Sequence, residues 1–257
     1  MAAAPTPDRD ADLGLALELA FSAAELALGY FGRPTSSELK ADGTPVGEAD
    51  LAVDRLLTTE LQARRPADGL LSEESGASGG PGRRWIVDPI DGTKAFLAGA
   101  EHWGTHVALE EDGRVVVAVV TRPVTGTLWW AAAGRGAHRG RLDEPGVGRR
   151  LELSSVARLS DARVTGWRLD AVALDRVLMQ ARWVDCAYNE LDLVLDGAAE
   201  VMMVPGMVWD HAPFALILEE AGGSLFDPAG GHRLDMGSAV YTNGAVDDEL
   251  AAVLWGR

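Results

Sequence analysis

The chain has 257 residues, of which 47% are hydrophobic, so it can bury a large core as one domain or as two closely packed ones. Its net charge of -16 arises from 39 acidic and 23 basic residues, with no run of Lys and Arg, which argues against a general affinity for nucleic acid or for a membrane surface. The single cysteine, Cys186, has no partner for an intramolecular disulfide, and the first apolar stretch contains Glu18 and Glu25, unlike a signal peptide. We therefore expect a cytoplasmic protein that needs a local cation to bind an anion.

The first half of the chain is predicted to hold two helices followed by a sheet. An Ala/Leu-rich helix runs from 11 to about 32, where a glycine and a proline favour its end. Apolar residues at helical spacing predict a second helix from Glu48 to about Arg65, with Asp50 in its first turn. Strands are predicted at 70–72, WIVD (85–88), THVALE (105–110), RVVVAVVTRP (114–123), TLWWAAA (127–133) and LELSS (151–155). These strands predict an antiparallel or mixed sheet.

Beyond Ser160, short apolar strands alternate with helical stretches, which is typical of an α/β arrangement. The predicted strands are RVTG (163–166), RWVDC (182–186), EVMMV (200–204), SLFD (224–227) and SAVYTN (238–243), and the predicted helices are 171–181, 189–197, 210–221 and one from Asp247. We therefore predict an N-terminal α+β half, 1–155, and a C-terminal α/β half, 156–257, in one compact unit.

Four carboxylates follow strand ends or open helices, where the backbone can aim them at one place. Glu73 follows one strand, Asp88 and Asp91 follow another, and Asp210 opens a helix. Hard oxygen ligands of this kind suit Mg²⁺ or Mn²⁺. A corner stiffened by proline would let both aspartates of DPIDG face one site, together with the carbonyl of Ile90.

The residues after Asp91 suggest a place for phosphate. GTKAFLA can begin a helix with Gly92 and Thr93 at its N-terminus, where backbone N–H groups would bind phosphate oxygens. Two cations about 4 Å apart could activate water on one side and stabilise the leaving oxygen on the other. Each part alone has an ordinary interpretation, since DxxDG is commonly a turn and Asp210 could simply cap its helix. Their combination is far more specific.

Together these segments resemble the signature blocks of the inositol monophosphatase family. The blocks are Glu73-Glu74-Ser75-Gly76, WIVDPIDGT from Trp85 to Thr93, and Trp209-Asp210-His211-Ala212 with Glu220-Ala221-Gly222-Gly223. They occur in the family's order, and the resemblance covers essentially the whole chain. It implies a layered α-β-α-β-α sandwich, usually in a homodimer, that hydrolyses a phosphate monoester with Mg²⁺ and is often inhibited by lithium.

The resemblance also implies roles for individual residues. The metal ligands would be Glu73, Asp88, Asp91 and Asp210, with the carbonyl of Ile90, around two or three Mg²⁺ ions for which Mn²⁺ is an alternative. Gly92 and Thr93 match the residues that contact phosphate. Asp50 would pair with Thr93, and these two with Glu73 would orient or deprotonate the attacking water. Lys40 falls where the family keeps a lysine near the site.

Departures from the family pattern bear on the substrate. Gly47 stands where Thr is usual and Ala95 where Asn is usual, although neither change removes a metal ligand. Where inositol phosphatases commonly read Gly-Ser-Ala, this chain reads Asp185-Cys186-Ala187, and a carboxylate often found shortly before Trp-Asp is absent. Asp185 would suit a substrate with an ammonium group, as in the histidinol-phosphate branch that the strand-and-tryptophan pattern also resembles. An aminocyclitol or amino-sugar phosphate fits equally well, and Met203 is a candidate for the pocket wall.

Other interpretations remain open at this point. Sugar bisphosphatases and 3'-phosphonucleotide phosphatases share the same blocks, and a binding protein on this fold would keep them without catalysis. His102 and His106 could line the substrate entrance or lie on the surface, while Trp103 is better explained by packing. A calcium-binding loop is disfavoured, because DPIDGTKAFLAG lacks alternating oxygen ligands and a terminal glutamate.

Overall fold

Two β-sheets with helices on and between them form the frame of the chain. The computed structural model describes residues 8–33, 36–40, 43, 45–80, 82–167, 171–186 and 191–256. The helices are α1 (Arg9–Tyr30), α2 (Glu48–Arg64), α3 (Thr93–Leu97), α4 (Ala171–Leu178), α5 (Val208–Glu220) and α6 (Asp247–Trp255), with 3₁₀ turns at Leu159–Asp161 and Leu191–Leu193. None of the helices in the described part of the chain is both long and apolar enough to cross a membrane.

The strands divide into a short pair and two larger sheets. The pair is β1 (Ser37–Leu39) with β2 (Pro45–Gly47). The eight-stranded sheet consists of β3 (Gly69–Ser72), β4 (Gly76–Ser78), β5 (Arg83–Asp91), β6 (Gly104–Glu111), β7 (Arg114–Arg122), β8 (Thr127–Ala132), β9 (Ala137–Arg141) and β10 (Gly148–Arg150), in the order β10-β9-β8-β7-β6-β5-β3-β4. The five-stranded sheet consists of β11 (Arg163–Gly166), β12 (Arg182–Trp183), β13 (Val201–Pro205), β14 (Ser224–Phe226) and β15 (Ser238–Thr242), in the order β12-β11-β13-β15-β14.

The layers alternate between helix and sheet, as the family resemblance implies. Helices α1 and α2 pack on one face of the eight-stranded sheet, and α5 packs on its other face. The opposite side of α5 contacts β14 and β15 of the five-stranded sheet, whose far face is covered by α4 and α6. The expected α-β-α-β-α sandwich is therefore confirmed, and the division into halves at 155/156 stays a prediction.

Strand β7 shows why the central strands read as unbroken apolar runs. Val117 and Val119 point to the cluster under α1, while Ala118 and Val120 point to the cluster under α5. A strand covered on both faces needs apolar residues at every position rather than at alternate ones. The eight-stranded sheet is therefore buried on both faces at its centre, and α5 lies between it and the five-stranded sheet.

Two predicted elements differ from the structure. LELSS is not a strand, since 151–158 has no regular structure; the N–H of Leu151 donates to the carbonyl of Ala137 at 2.8 Å, and its side chain is buried. The sequence gives little sign of β9 and β10, because AHRGR and GRR are polar and rich in glycine and arginine. The helix expected at 189–197 is a 3₁₀ turn followed by hydrogen-bonded turns over the residues described, and 189–190 lie outside them.

Candidate active site

A β-bulge, rather than a turn after Asp88, brings the two aspartates of DPIDG together. Strand β5 continues through Asp91, and its pairing with β6 shifts between Asp88, which lies opposite His106, and Asp91, which lies opposite Gly104. Asp88 and Asp91 are three residues apart on β5, whereas their partners are two residues apart on β6, so β5 contains one extra residue. Without it, residues three apart would point to opposite faces of the sheet. The hydroxyl of Thr105 donates to the carbonyl of Pro89 at 2.9 Å, inside the bulge.

The four predicted ligand carboxylates lie close enough to repel one another. Burial, followed by the charges of Glu73, Asp210 and Asp91, raises the pKa of Asp88 well above its ordinary value. Burial also raises the pKa of Asp91 to about 7, although Arg122 opposes this, and burial raises the pKa of Asp210 to about 6. Without a cation the fold therefore favours the protonated, neutral forms of these carboxyl groups.

Asp50 and Asp210 are positioned by the same local device. Each is the third residue of its helix, and its Oδ2 accepts a hydrogen bond from the backbone N–H that precedes the helix: Gly47 to Asp50 at 2.9 Å, and Met207 to Asp210 at 2.5 Å. Capping fixes one carboxylate oxygen and leaves the other for the site. The hydroxyl of Thr93 donates to Asp50 Oδ1 at 2.9 Å and also lies 3.1 Å from the carbonyl oxygen of Ile90.

Lys40 lies at the site and is bonded to its acidic residues. Its Nζ is 2.8 Å from Glu73 Oε1 and 2.6 Å from Glu74 Oε1. Burial lowers the pKa of Lys40, but the hydrogen bonds to Glu73 and Glu74 outweigh burial and raise it above its ordinary value. Lys40 therefore stays protonated and neutralises part of the acidic charge near Glu73.

Two charged or titratable side chains beside Asp91 were not predicted to lie there. His106 is fully buried on β6, with Nε2 3.4 Å from Asp91 Oδ2, so its placement at the entrance or on the surface is wrong. Burial, followed by the charge of Arg122, lowers the pKa of His106 well below its ordinary value, which keeps the imidazole neutral. Arg122 is 3% exposed, and its Nη2 is 3.5 Å from the same oxygen. Only the pairing of β5, β6 and β7 brings these residues together.

The residues predicted to recognise the substrate are more dispersed. Asp185 is exposed after β12 and accepts a hydrogen bond from Trp183 Nε1 at 2.7 Å. Trp167, 51% exposed, follows the parallel neighbour β11, so both residues lie at the same edge of the five-stranded sheet. Met203 is 6% exposed and packs in the core cluster beside α4 and α6, and its role in binding stays a prediction. Ala187, of the Asp185-Cys186-Ala187 segment, lies outside the described residues.

The donors present fit a divalent cation. Oδ1 of Asp88 and Oδ2 of Asp91 are buried and have no hydrogen-bond partner among the residues that the structure describes. Asp88, Asp91 and His106 each offer a ligand atom, and these three atoms lie within 4.8 Å of one another. Buried, unpartnered carboxylate oxygens that repel one another are what a hard cation would stabilise.

Comparison with known proteins assigns the fold and the sequence to one family. The model of the inositol monophosphatase family matches residues 8–256. A Streptomyces griseus protein named glucose-1-phosphate thymidylyltransferase is 44% identical over 96% of this chain and 97% of its own. A histidinol-phosphatase of Mycobacterium tuberculosis is 41% identical over 93% of this chain and 96% of its own. The structure of the extragenic suppressor protein SuhB from Bartonella henselae superposes with a TM-score of 0.83 at 26% identity, over 95% of this chain and 98% of that one. The chain therefore belongs to the inositol monophosphatase family of phosphatases.

Proposed function

We propose that the chain is a Mg²⁺-dependent phosphomonoesterase whose substrate is a small polar phosphate monoester of the histidinol phosphate type. One observation carries the proposal: the bulge in β5 buries Asp88 and Asp91, each with an oxygen that has no hydrogen-bond partner in the described part of the chain, close to the hydrogen-bonded pair of Asp50 and Thr93. Family members are metal-dependent, which supports a catalytic rather than a purely structural use of these carboxylates.

Glu73, Asp88, Asp91, Asp210 and the carbonyl of Ile90 would hold two or three cations. Their oxygen donors favour Mg²⁺, with Mn²⁺ as the alternative. When bound, such cations lower the pKa of a coordinated water and stabilise negative charge on the leaving oxygen. Because cations held by these residues would activate water directly, we propose attack by water rather than a covalent phosphoenzyme.

Thr93 and Asp50 would remove the proton from the attacking water. The Thr93 oxygen accepts a proton from water while its own proton passes to Asp50 Oδ1, which lies 2.9 Å away. Burial, the largest influence, raises the pKa of Asp50, so its carboxylate is a stronger base than an exposed aspartate. The water oxygen then bonds to phosphorus, the ester P–O bond breaks in line, and the alcohol oxygen takes a proton from solvent.

Gly92 and Thr93 would orient the phosphate with their backbone N–H groups. Gly92 has φ 83°, in the left-handed region that glycine adopts readily, and it turns the chain from β5 into α3. A Cβ at this position would lie 2.6 Å from the carbonyl oxygen of His102. Both facts explain why glycine stands at the turn between the metal ligands and α3.

An exposed carboxylate and an exposed indole support an ammonium-bearing substrate. Asp185 and Trp167 lie at one edge of the five-stranded sheet, and a cation can pair with a carboxylate or lie over an indole face. The 41% identical relative named histidinol-phosphatase fits this chemistry, since histidinol phosphate carries an amine. An aminocyclitol phosphate would satisfy the same two residues.

A phosphate-release assay with and without Mg²⁺ tests the reaction. Asp91→Asn should abolish turnover of every substrate while the circular dichroism and the cooperative unfolding transition persist. Asp143→Asn serves as the matched control, because Asp143 is exposed and pairs with Arg141 on the surface. Full activity of Asp91→Asn, or equal activity after removal of divalent cations, would refute the assignment.

A substrate panel tests the specificity and separates the alternatives. It comprises histidinol phosphate, inositol-1-phosphate, fructose bisphosphate, an aminocyclitol phosphate and a 3'-phosphonucleotide. Asp185→Asn should raise KM at least tenfold for the amine-bearing substrates and leave KM for inositol-1-phosphate unchanged. Faster turnover of inositol-1-phosphate than of any amine would overturn the substrate class. Formation of a nucleotide sugar from dTTP and glucose-1-phosphate would instead favour the activity named for the Streptomyces griseus relative.

Three further parts of the proposal concern the protein in solution. We propose a homodimer and inhibition by lithium, both carried from the family resemblance, and a cytoplasmic location, carried from the single cysteine and the acidic residues in the first apolar stretch. Light scattering at several protein concentrations would measure the mass, and titration with LiCl at fixed Mg²⁺ would measure inhibition. A monomeric mass would refute the homodimer alone, and unchanged turnover in LiCl would refute inhibition by lithium alone.

A further inference from the structure

Arg122 ends β7 as a buried guanidinium between two carboxylates. Its Nε donates to Asp192 Oδ1 at 3.1 Å, and its Nη1 donates to the carbonyl of Thr121 at 3.2 Å. Its Nη2 is 3.1 Å from Asp192 Oδ1 and 3.5 Å from Asp91 Oδ2, and it makes no hydrogen bond of good geometry among the described residues. The positive charge is therefore anchored on Asp192 and lies within 3.5 Å of Asp91.

The neighbouring strand leaves space for this guanidinium. Gly104 of β6 lies opposite Asp91, and a Cβ added there would lie 2.7 Å from Arg122 Nη1. A side chain at 104 would therefore displace the guanidinium from Asp91. Gly104 thus makes room for Arg122, and the arginine, which is 3% exposed, lies beneath the proposed metal-binding carboxylates.

We propose that Arg122 is a positioning residue that acts as a permanent cation of the metal site, attracting one oxygen of Asp91 by its charge and lowering the affinity of the site for divalent cations. A guanidinium stays protonated at any pH at which the protein is folded. Its charge therefore attracts Asp91 at every such pH and competes with a metal ion for that carboxylate. Asp192 neutralises part of the guanidinium charge and so determines how strongly it competes. The inference rests on the proposed metal site.

Two substitutions should shift metal affinity in opposite directions. Arg122→Met removes the competing charge, so binding of the divalent cation should tighten by about tenfold or more. Asp192→Asn leaves the guanidinium without its neutralising partner, so binding should weaken several-fold. If Arg122 had only a structural role, its removal would loosen Asp91, and both variants would bind the cation equally or more weakly.

The test measures binding of Mn²⁺ alone to the metal-depleted full chain, from the electron paramagnetic resonance signal of free Mn²⁺. Arg163→Met is the matched control, because Arg163 pairs with the buried Glu200 away from the site, and its affinity should equal that of the wild type. Unchanged or weaker binding by Arg122→Met, or unchanged or tighter binding by Asp192→Asn, would overturn the inference. Should Arg122→Met fail to fold, Arg122→Gln replaces it, because glutamine removes the charge and keeps a donor for Asp192; this variant should also bind Mn²⁺ more tightly, and unchanged or weaker binding would overturn the inference. If wild type binds no Mn²⁺, or Asp88→Asn binds it as well as wild type, the proposed metal site itself fails.

Discussion

The clustered carboxylates predict that the metal-free protein loses stability as the pH rises. In the folded chain the pKa of Asp91 is about 7 and that of Asp210 about 6, against 3.8 for an unperturbed aspartate. The folded state therefore binds more protons than the unfolded state between these values, so the free energy of unfolding falls as pH rises through 7. One pKa unit is worth about 1.4 kcal/mol, so between pH 5.5 and 8 the loss is about 2 kcal/mol from Asp91 and about 1 kcal/mol from Asp210. Asp88 adds to the loss in the same direction.

Urea unfolding, followed by tryptophan fluorescence in EDTA at pH 5.5, 6.5, 7.5 and 8, measures this loss. Saturating Mg²⁺ should remove most of the loss, because the cation replaces repulsion among the carboxylates by attraction. Asp91→Asn should shrink the decrease by about 2 kcal/mol, while Asp143→Asn, on the exposed surface, should leave it unchanged. A metal-free wild type that is as stable at pH 8 as at pH 5.5, or an Asp91→Asn variant with the full decrease, would refute the reasoning.

Three further predictions follow from single contacts. Thr93→Val removes the hydroxyl bonded to Asp50 and should lower kcat by about 10²-fold with little change in KM. Adding Asp50→Asn should lower kcat little further, whereas losses of kcat that add would show that the two residues act independently. Gly206→Ala places a Cβ 2.9 Å from Asp210 Oδ2, so calorimetry should show Mg²⁺ binding weakened by about tenfold in a folded protein, and unchanged binding would contradict it. Gly104→Ala places a Cβ 1.8 Å from the carbonyl oxygen of Thr121 and should lower the free energy of unfolding in urea by about 2–4 kcal/mol. Gly80→Ala, with open space around the added Cβ, should lower it far less, and equal losses would contradict the packing argument.

Local patterns explain which parts of the site could be predicted from the sequence. Asp50 and Asp210 lie in the first turns of predicted helices, so their positions follow from short-range rules. The bulge in DPIDG is not visible, because proline and two aspartates equally suit a turn. The proline corner allowed both aspartates to face one site, and the family resemblance implied that they do.

Pairing between distant strands explains what could not be predicted. His106 and Arg122 lie 15 and 31 residues beyond Asp91, and they reach it only through the register of β5, β6 and β7. A histidine within an apolar strand and an arginine at a strand end have ordinary surface interpretations in sequence. Their burial follows from α5 covering this face of the sheet, and nothing in the local sequence of β6 or β7 marks that.

The position of α5 between the sheets makes the metal site depend on tertiary packing. Asp210 lies at the start of α5, whereas Asp88 lies on the bulged strand of the other layer, so repulsion between the two carboxylates, when both are ionised, opposes the packing of the helix on β5. Beneath them, the ring of Phe214 packs edge-on against His106 at 5.3 Å and stacks on Tyr241 at 5.6 Å. This row of rings joins the eight-stranded sheet, α5 and the five-stranded sheet, and it opposes the repulsion. A cation bound among the carboxylates would convert that repulsion into a cross-link, so metal binding and the packing of α5 should stabilise each other.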